Sequence, residues 1–206
     1  MTEDGDRSGS DGGQGMTDRV TDRTTGRIAR RVQGLRQRRG LSLEALAQRC
    51  NVSRSMISLI ERGESSATAV VLERLSVGLG VTLASLFEDD AAPPSPLARR
   101  DAQPLWRDPD SGYVRRNLSP PNYPSPIQLV QVEMPPGASV TYDTAARDNE
   151  VHQQVWVQEG ALELRSGDEL HHLEAGDCLA MQLDRPTAFG NAGRKPVRYI
   201  VAIASR

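Results

Sequence analysis

Two periodicities divide the chain. From Ile28 to Phe87 apolar residues recur every three to four positions, the spacing of one helical face, with breaks short enough to be turns. Beyond Leu105 that period gives way to short alternating or β-branched runs: IQLVQVEM, ASVTY, QQVWVQ, ALELR, CLAMQL and VRYIVAIA. Turn signals such as PPG, SGD and AGD separate them. The first pattern predicts a small all-helical domain. The second predicts six or more strands in an antiparallel sandwich or barrel.

Five helices are expected in the first region. Ile28, Val32 and Leu35 line the first, and Gly40 supplies its left-handed stop. Ser42 caps the second, with Leu43, Leu46, Ala47 and Cys50 inward; Ser53 caps the third, which runs from Arg54 to about Arg62 with Ile57 and Ile60 inward. A fourth spans Ala69 to Val77, burying Val71, Leu72 and Leu75, and a short fifth carries Leu83, Leu86 and Phe87. Residues 1–26 hold almost no large apolar side chain and are expected to be a disordered tail. Residues 88–104, with four of the thirteen prolines, read as a semi-rigid linker. The expected division is therefore tail 1–26, helical domain 27–87, linker 88–104 and β domain 105–206.

Composition adds little until charge is divided along the chain. The 206 residues are 37% hydrophobic and 25% charged, with a formal net charge of -2. Residues 27–87 carry ten Arg against four Glu, a local excess of +6, while the tail, linker and β domain are each acidic. Every base in the helical segment is Arg, whose planar fork suits phosphates and base edges. No apolar run approaches the roughly 18 residues of a membrane span, and the acidic, Gly-rich start differs from a secretory signal. Cys50 and Cys178 lie far apart with no metal-type or redox-type spacing, which suits a reducing compartment. A cytoplasmic location is expected, without membrane contact.

The stretch LSLEALAQRCNVSRSMISLIERGE, residues 41–64, resembles the helix-turn-helix of the lambda-repressor-like, Xre-type regulators. The match includes Ala47, the tight NVS turn, Ile57, the closing Ile60-Glu61-Arg62-Gly63, and LSVGLGVTLASLF as the last two helices. Ala67 stands where the family usually has proline. The resemblance places the motif at about residues 43–62 and implies double-stranded DNA as partner. A reading helix presents its first residues to base edges in the major groove, so Arg54, Ser55, Ser58 and Leu59 are expected to read bases. Arg36, Arg38, Arg62 and the backbone amide at Ser53 are expected to meet phosphates.

Residues 105–206 resemble a cupin, a small jelly-roll barrel, through PPGASVTYD, HQQVWVQEGALEL, LEAGDCLAMQLDRPTAFGNAG and VRYIVAIA. Metal-binding cupins usually place two His and a Glu ahead of the glycine matching Gly160, and a His after the proline matching Pro186. Here Gln153 stands seven before Gly160, Thr187 follows Pro186, and His152 is displaced by one. Amide and hydroxyl groups are poor ligands for divalent transition metals, so neither metal, cofactor nor catalytic residues are expected. His152, Gln154, Trp156, Met181, Arg185 and Thr187 are the candidates to line an effector pocket. His171 and His172, beside a turn, are expected at the surface.

The expected protein is thus a multidomain α and β chain: a five-helix lambda-repressor-like domain followed by a cupin β-barrel. It is expected to be a homodimeric transcriptional regulator with a small-molecule effector. The alternatives are a metal-dependent cupin enzyme carrying a DNA-binding appendage, and a constitutive repressor whose β domain is structural.

Overall fold

The computed structural model describes residues 12–88, 93–143 and 150–205. Its helical part comprises α1 (Gly12–Arg38), α2 (Leu43–Cys50), α3 (Arg54–Glu61), α4 (Ala69–Gly78) and a 3-10 helix at Leu83–Phe87. Ser42, Ser53 and Thr68 stand in extended conformation ahead of α2, α3 and α4, and their hydroxyls accept the N–H groups of Ala45, Met56 and Val71 at 3.0, 3.2 and 3.4 Å. Such a cap contributes about 1 kcal/mol. Leu46, Ile57, Leu72 and Leu75 are fully buried between the helices, each worth roughly 1.5–3 kcal/mol over an exposed position. The tightest approach is at Gly78, where an added Cβ would lie 2.8 Å from the Cβ of Cys50. Glycine there lets α4 press against α2.

Three expectations for this region are corrected. The fifth helix is a single 3-10 turn, in which the Ser85 amide bonds back to the carbonyl and hydroxyl of Thr82; Val71 is half-buried. The first helix begins at Gly12, inside the segment expected to be a tail, whereas residues 1–11 lie outside the described residues. Composition missed it because support is tertiary: Thr24 is buried and its hydroxyl donates to the carbonyl of Leu105 at 2.8 Å.

The β domain has ten strands: β1 (Leu105–Arg107), β2 (Val114–Asn117), β3 (Ile127–Met134), β4 (Ser139–Tyr142), β5 (Val151–Glu159), β6 (Ala161–Ser166), β7 (Glu169–Glu174), β8 (Cys178–Gln182), β9 (Thr187–Gly190) and β10 (Val197–Ser205). A six-stranded sheet runs β1-β2-β3-β10-β5-β8 and a four-stranded sheet β4-β9-β6-β7, with antiparallel pairing throughout. Val130, Val132, Val155, Val157, Leu162, Leu164, Phe189, Val201 and Ile203 fill the interior. Gly160, at φ +81, turns β5 into β6 so closely that a Cβ would lie 3.0 Å from the Pro196 carbonyl oxygen.

A closed barrel was expected; the described strands form a sandwich instead. Ladder bonds run within each sheet and none joins the two. One edge strand, β1, pairs with β2 on one side and packs against α1.

The two domains meet along a continuous seam. Asp108, buried in the turn after β1, accepts the Ala69 amide at the start of α4 at 2.8 Å. Asn117 donates to the Ala84 carbonyl at 2.9 Å, and Thr82 donates to Gln128 at 2.6 Å. Phe87, Trp106 and Tyr113 pack edge to face in sequence, with centroids 5.7 and 5.9 Å apart.

Candidate nucleic-acid interface and interior cavity

Helix α3 is held from below and bare above. Ile57 and Ile60 anchor it in the core, while Arg54 and Ser55 at its first turn are exposed and Ser58 and Leu59 are half-buried. The Ser53 cap satisfies the Met56 amide in the first turn, the turn that carries Arg54. Ser53 and Ser55 hydroxyls lie 3.2 Å apart. The four residues expected to read bases therefore share one helix, and the two at its start are the more accessible.

The expected phosphate group divides. Arg38 is exposed at the end of α1, and Arg62 is half-exposed just past α3. Arg62 is oriented by Glu64 through bonds of 2.7 and 2.8 Å and also donates to Ser58; the Glu64 hydrogen bonds hold its pKa above the ordinary value. Arg36 does not belong with them. Its side chain is 13% exposed, it bonds Glu61 at 2.6 and 2.7 Å, and it donates to the Leu41 carbonyl at 2.9 Å. The charge count could not separate a strut between α1 and α3 from a surface cation. Arg39, not singled out from sequence, is largely exposed at the surface, and partial desolvation, with smaller contributions from Arg38 and Arg31, draws its pKa down.

The expected effector pocket is largely displaced. Strand β5 turns Val151, Gln153, Val155 and Val157 inward, so His152, Gln154 and Trp156 lie on the outer face of the six-stranded sheet, Trp156 at 47% exposure. The three inward valines carried the right phase, and a one-residue slip reverses every side chain. Arg185 is exposed and bonded to Asp184, Met181 packs on the core, and Thr187 lines the interior. His171 is half-buried and His172 exposed, beside Glu169 and Glu163 respectively.

The actual cavity, about 60 Å³, lies between the sheets and the helical domain. Tyr113, Arg115, Tyr142, Gln153, Thr187 and Tyr199 supply its polar groups, while Glu73 of α4 and Thr82 and Leu83 beyond it close the wall. A larger cleft of about 340 Å³ between the domains shares Thr82 and Val151 with it. Burial pushes the Tyr113, Tyr142 and Tyr199 phenols up from their ordinary value, so all three stay protonated. Sequence reasoning missed Arg115 because VRRN offers two adjacent arginines and strand phase alone decides which is inside.

Among the described residues no helix is long and apolar enough to cross a membrane. The family model described as Helix-turn-helix, HTH_3, matches residues 32–86. The transcriptional regulator SutR of Escherichia coli is 28% identical over 82% of this chain and 89% of its own length. The control protein C.MunI of a Mycoplasma species is 38% identical over 31% of this chain and 86% of its own length. The crystal structure of an HTH_3-family transcriptional regulator from Vibrio cholerae superposes with a TM-score of 0.70 at 22% identity, covering 89% of this chain and 98% of that one. That superposition shares the order of helical domain and β domain described above. The chain belongs to the HTH_3 helix-turn-helix family and is a DNA-binding transcriptional regulator.

Proposed function

We propose that the protein binds two operator half-sites as a homodimer and that its β domain, read as a cupin, senses a small molecule without a metal. The observation that carries this reading is the cavity walled by both domains. A ligand there touches Glu73 of α4 and Tyr113, just ahead of β2, at once, so its binding energy can depend on how the domains sit. Gln153 and Thr187, at the positions where metal-binding cupins carry ligands, face this cavity with an amide and a hydroxyl. Neither favours a transition metal.

In this reading Arg54, Ser55, Ser58 and Leu59 read base edges, and Arg38, Arg62 and the Ser53 amide hold phosphates. Arg36 is left out of that set. One reading helix covers few base pairs, and two half-sites about one helical turn apart raise affinity and specificity. The surface assigned to the second copy is the outer face of the six-stranded sheet. There Gln131, Ile200, Trp156 and Cys178 form one cross-strand row and Leu129, Ala202, Gln154 and Ala180 the next, with no formal charge in either. Trp156→Glu is expected to give a monomer in sedimentation and to weaken operator binding; a dimer of unchanged affinity would overturn this assignment.

Effector sensing is tested by reciprocity. An effector that changes operator affinity by some factor must itself be bound with an affinity changed by the same factor when operator is present. Equal effector affinity with and without DNA refutes the sensing function.

A further inference from the structure

Arg115 is 6% exposed, yet its Nε and Nη2 have no hydrogen-bond partner. These two atoms form one edge of the guanidinium, the edge that receives the two oxygens of a carboxylate side by side. The ring of Phe87 lies under the group, 5.2 Å from its central carbon, which holds the plane and leaves the two edge nitrogens buried and unpartnered. Buried charged donors are ordinarily satisfied; Tyr113 and Tyr142, whose hydroxyls lie 3.0 Å apart, share the cavity with Gln153 and Thr187, yet neither Nε nor Nη2 reaches an acceptor on any of them. Val132, Val201 and Ile203 make the remaining wall apolar.

We propose that this cavity binds a small organic carboxylate, its oxygens on Nε and Nη2 of Arg115 and its short carbon chain against Val132, Val201 and Ile203. The volume of about 60 Å³ sets the size: one water needs about 10–15 Å³, so a few waters or one acid of about two to three carbons fits. Glu73, the acidic group of the wall, has an interaction of its own and sits on α4. A bound anion repels it and so acts on the helical domain. The inference deepens the sensor reading above and rests on it.

The test is calorimetric titration of the full chain with acetate, propionate and pyruvate at fixed ionic strength, against sulfate, phosphate and a neutral amide of the same shape. One carboxylate per chain is expected, with affinity at least tenfold weaker in Arg115→Gln and partly kept in Arg115→Lys. Equal affinity in Arg115→Gln, preference for sulfate or phosphate, or no binding of any carboxylate overturns the site. Should both variants unfold, the Arg115 Nε–H resonance of the wild-type protein, assigned through bonds, decides: it moves with propionate or the proposal fails. Operator affinity is measured beside each titration. A carboxylate that binds through Arg115 but leaves DNA affinity unchanged upholds the site and refutes the sensor; a neutral compound that alters DNA affinity where no carboxylate binds refutes the site.

Discussion

Arg36 and Glu61 join α1 to α3 through two parallel hydrogen bonds, Nε to Oε1 at 2.6 Å and Nη2 to Oε2 at 2.7 Å. The pair fixes α3 against α1, the longest helix of the domain. Both partners are shielded, with side chains 13% and 5% exposed, and removing one strands the other's charge. Arg36→Ala is expected to cost roughly 2–4 kcal/mol in denaturant unfolding. Replacing both residues by leucine is expected to restore most of that loss. A stable Arg36→Ala protein with a reduced salt slope for DNA would instead return Arg36 to the phosphate contacts.

Arg54 and Arg62 are expected to fail differently on DNA. Arg54→Ala removes the side chain proposed to meet base edges, so it is expected to relax preference at one base position, worth roughly 1–3 kcal/mol of discrimination. Arg62→Ala weakens operator and random sequences alike and lowers the salt slope by about one. Binding isotherms on both DNA types across salt concentrations check this, and equal losses for Arg54→Ala on the two would contradict base readout.

Asp108 serves two domains at once, accepting the Ala69 amide and both the amide and hydroxyl of Ser111. Asp108→Ala is expected to lower the unfolding free energy by about 1–2 kcal/mol, the upper range for a lost helix cap. Protease digestion should then cut between the domains sooner than in the wild type. No change in either measurement would show the contact to be energetically silent.

Two helical glycines give opposite predictions. At Gly78 a methyl would strike the Cβ of Cys50 at 2.8 Å, in the packed contact of α2 and α4, so Gly78→Ala is expected to destabilise by about 1–3 kcal/mol. At Gly34 the nearest atom is the flexible end of Arg38, 3.2 Å away, so Gly34→Ala should stabilise α1 by about 0.5–1 kcal/mol. Thermal unfolding of the pair tests the sign of each.

The helical domain was legible because its signals are local. Ser42 and Ser53 announce α2 and α3, and Ile57 and Ile60 repeat at helical spacing with both ends of the pattern marked. The β domain was legible as strands but not as a site. In VHQQVWVQ the polar Gln153 stands on the inward set and the apolar Trp156 on the outward one, so attention fell on His152 and Trp156 rather than on Val151, Val155 and Val157, which face the core. Arg36 and Arg115 were illegible for a common reason: an arginine's partners lie far along the chain, at Glu61 and at Phe87, and no local pattern reveals whether its charge is spent inside.

The edge-to-face run of Phe87, Trp106 and Tyr113 crosses from the last helical turn to the first strand and the turn leading into the second without a break in packing. Regulators of this plan invite recombination, in which one sensor is cut out at the proline-rich connector and another spliced in. Here such a graft would divide an aromatic core, exposing Phe87 on one piece and Trp106 on the other. The transferable module therefore ends beyond Tyr113, and a working hybrid must inherit the first hairpin together with the helices it completes.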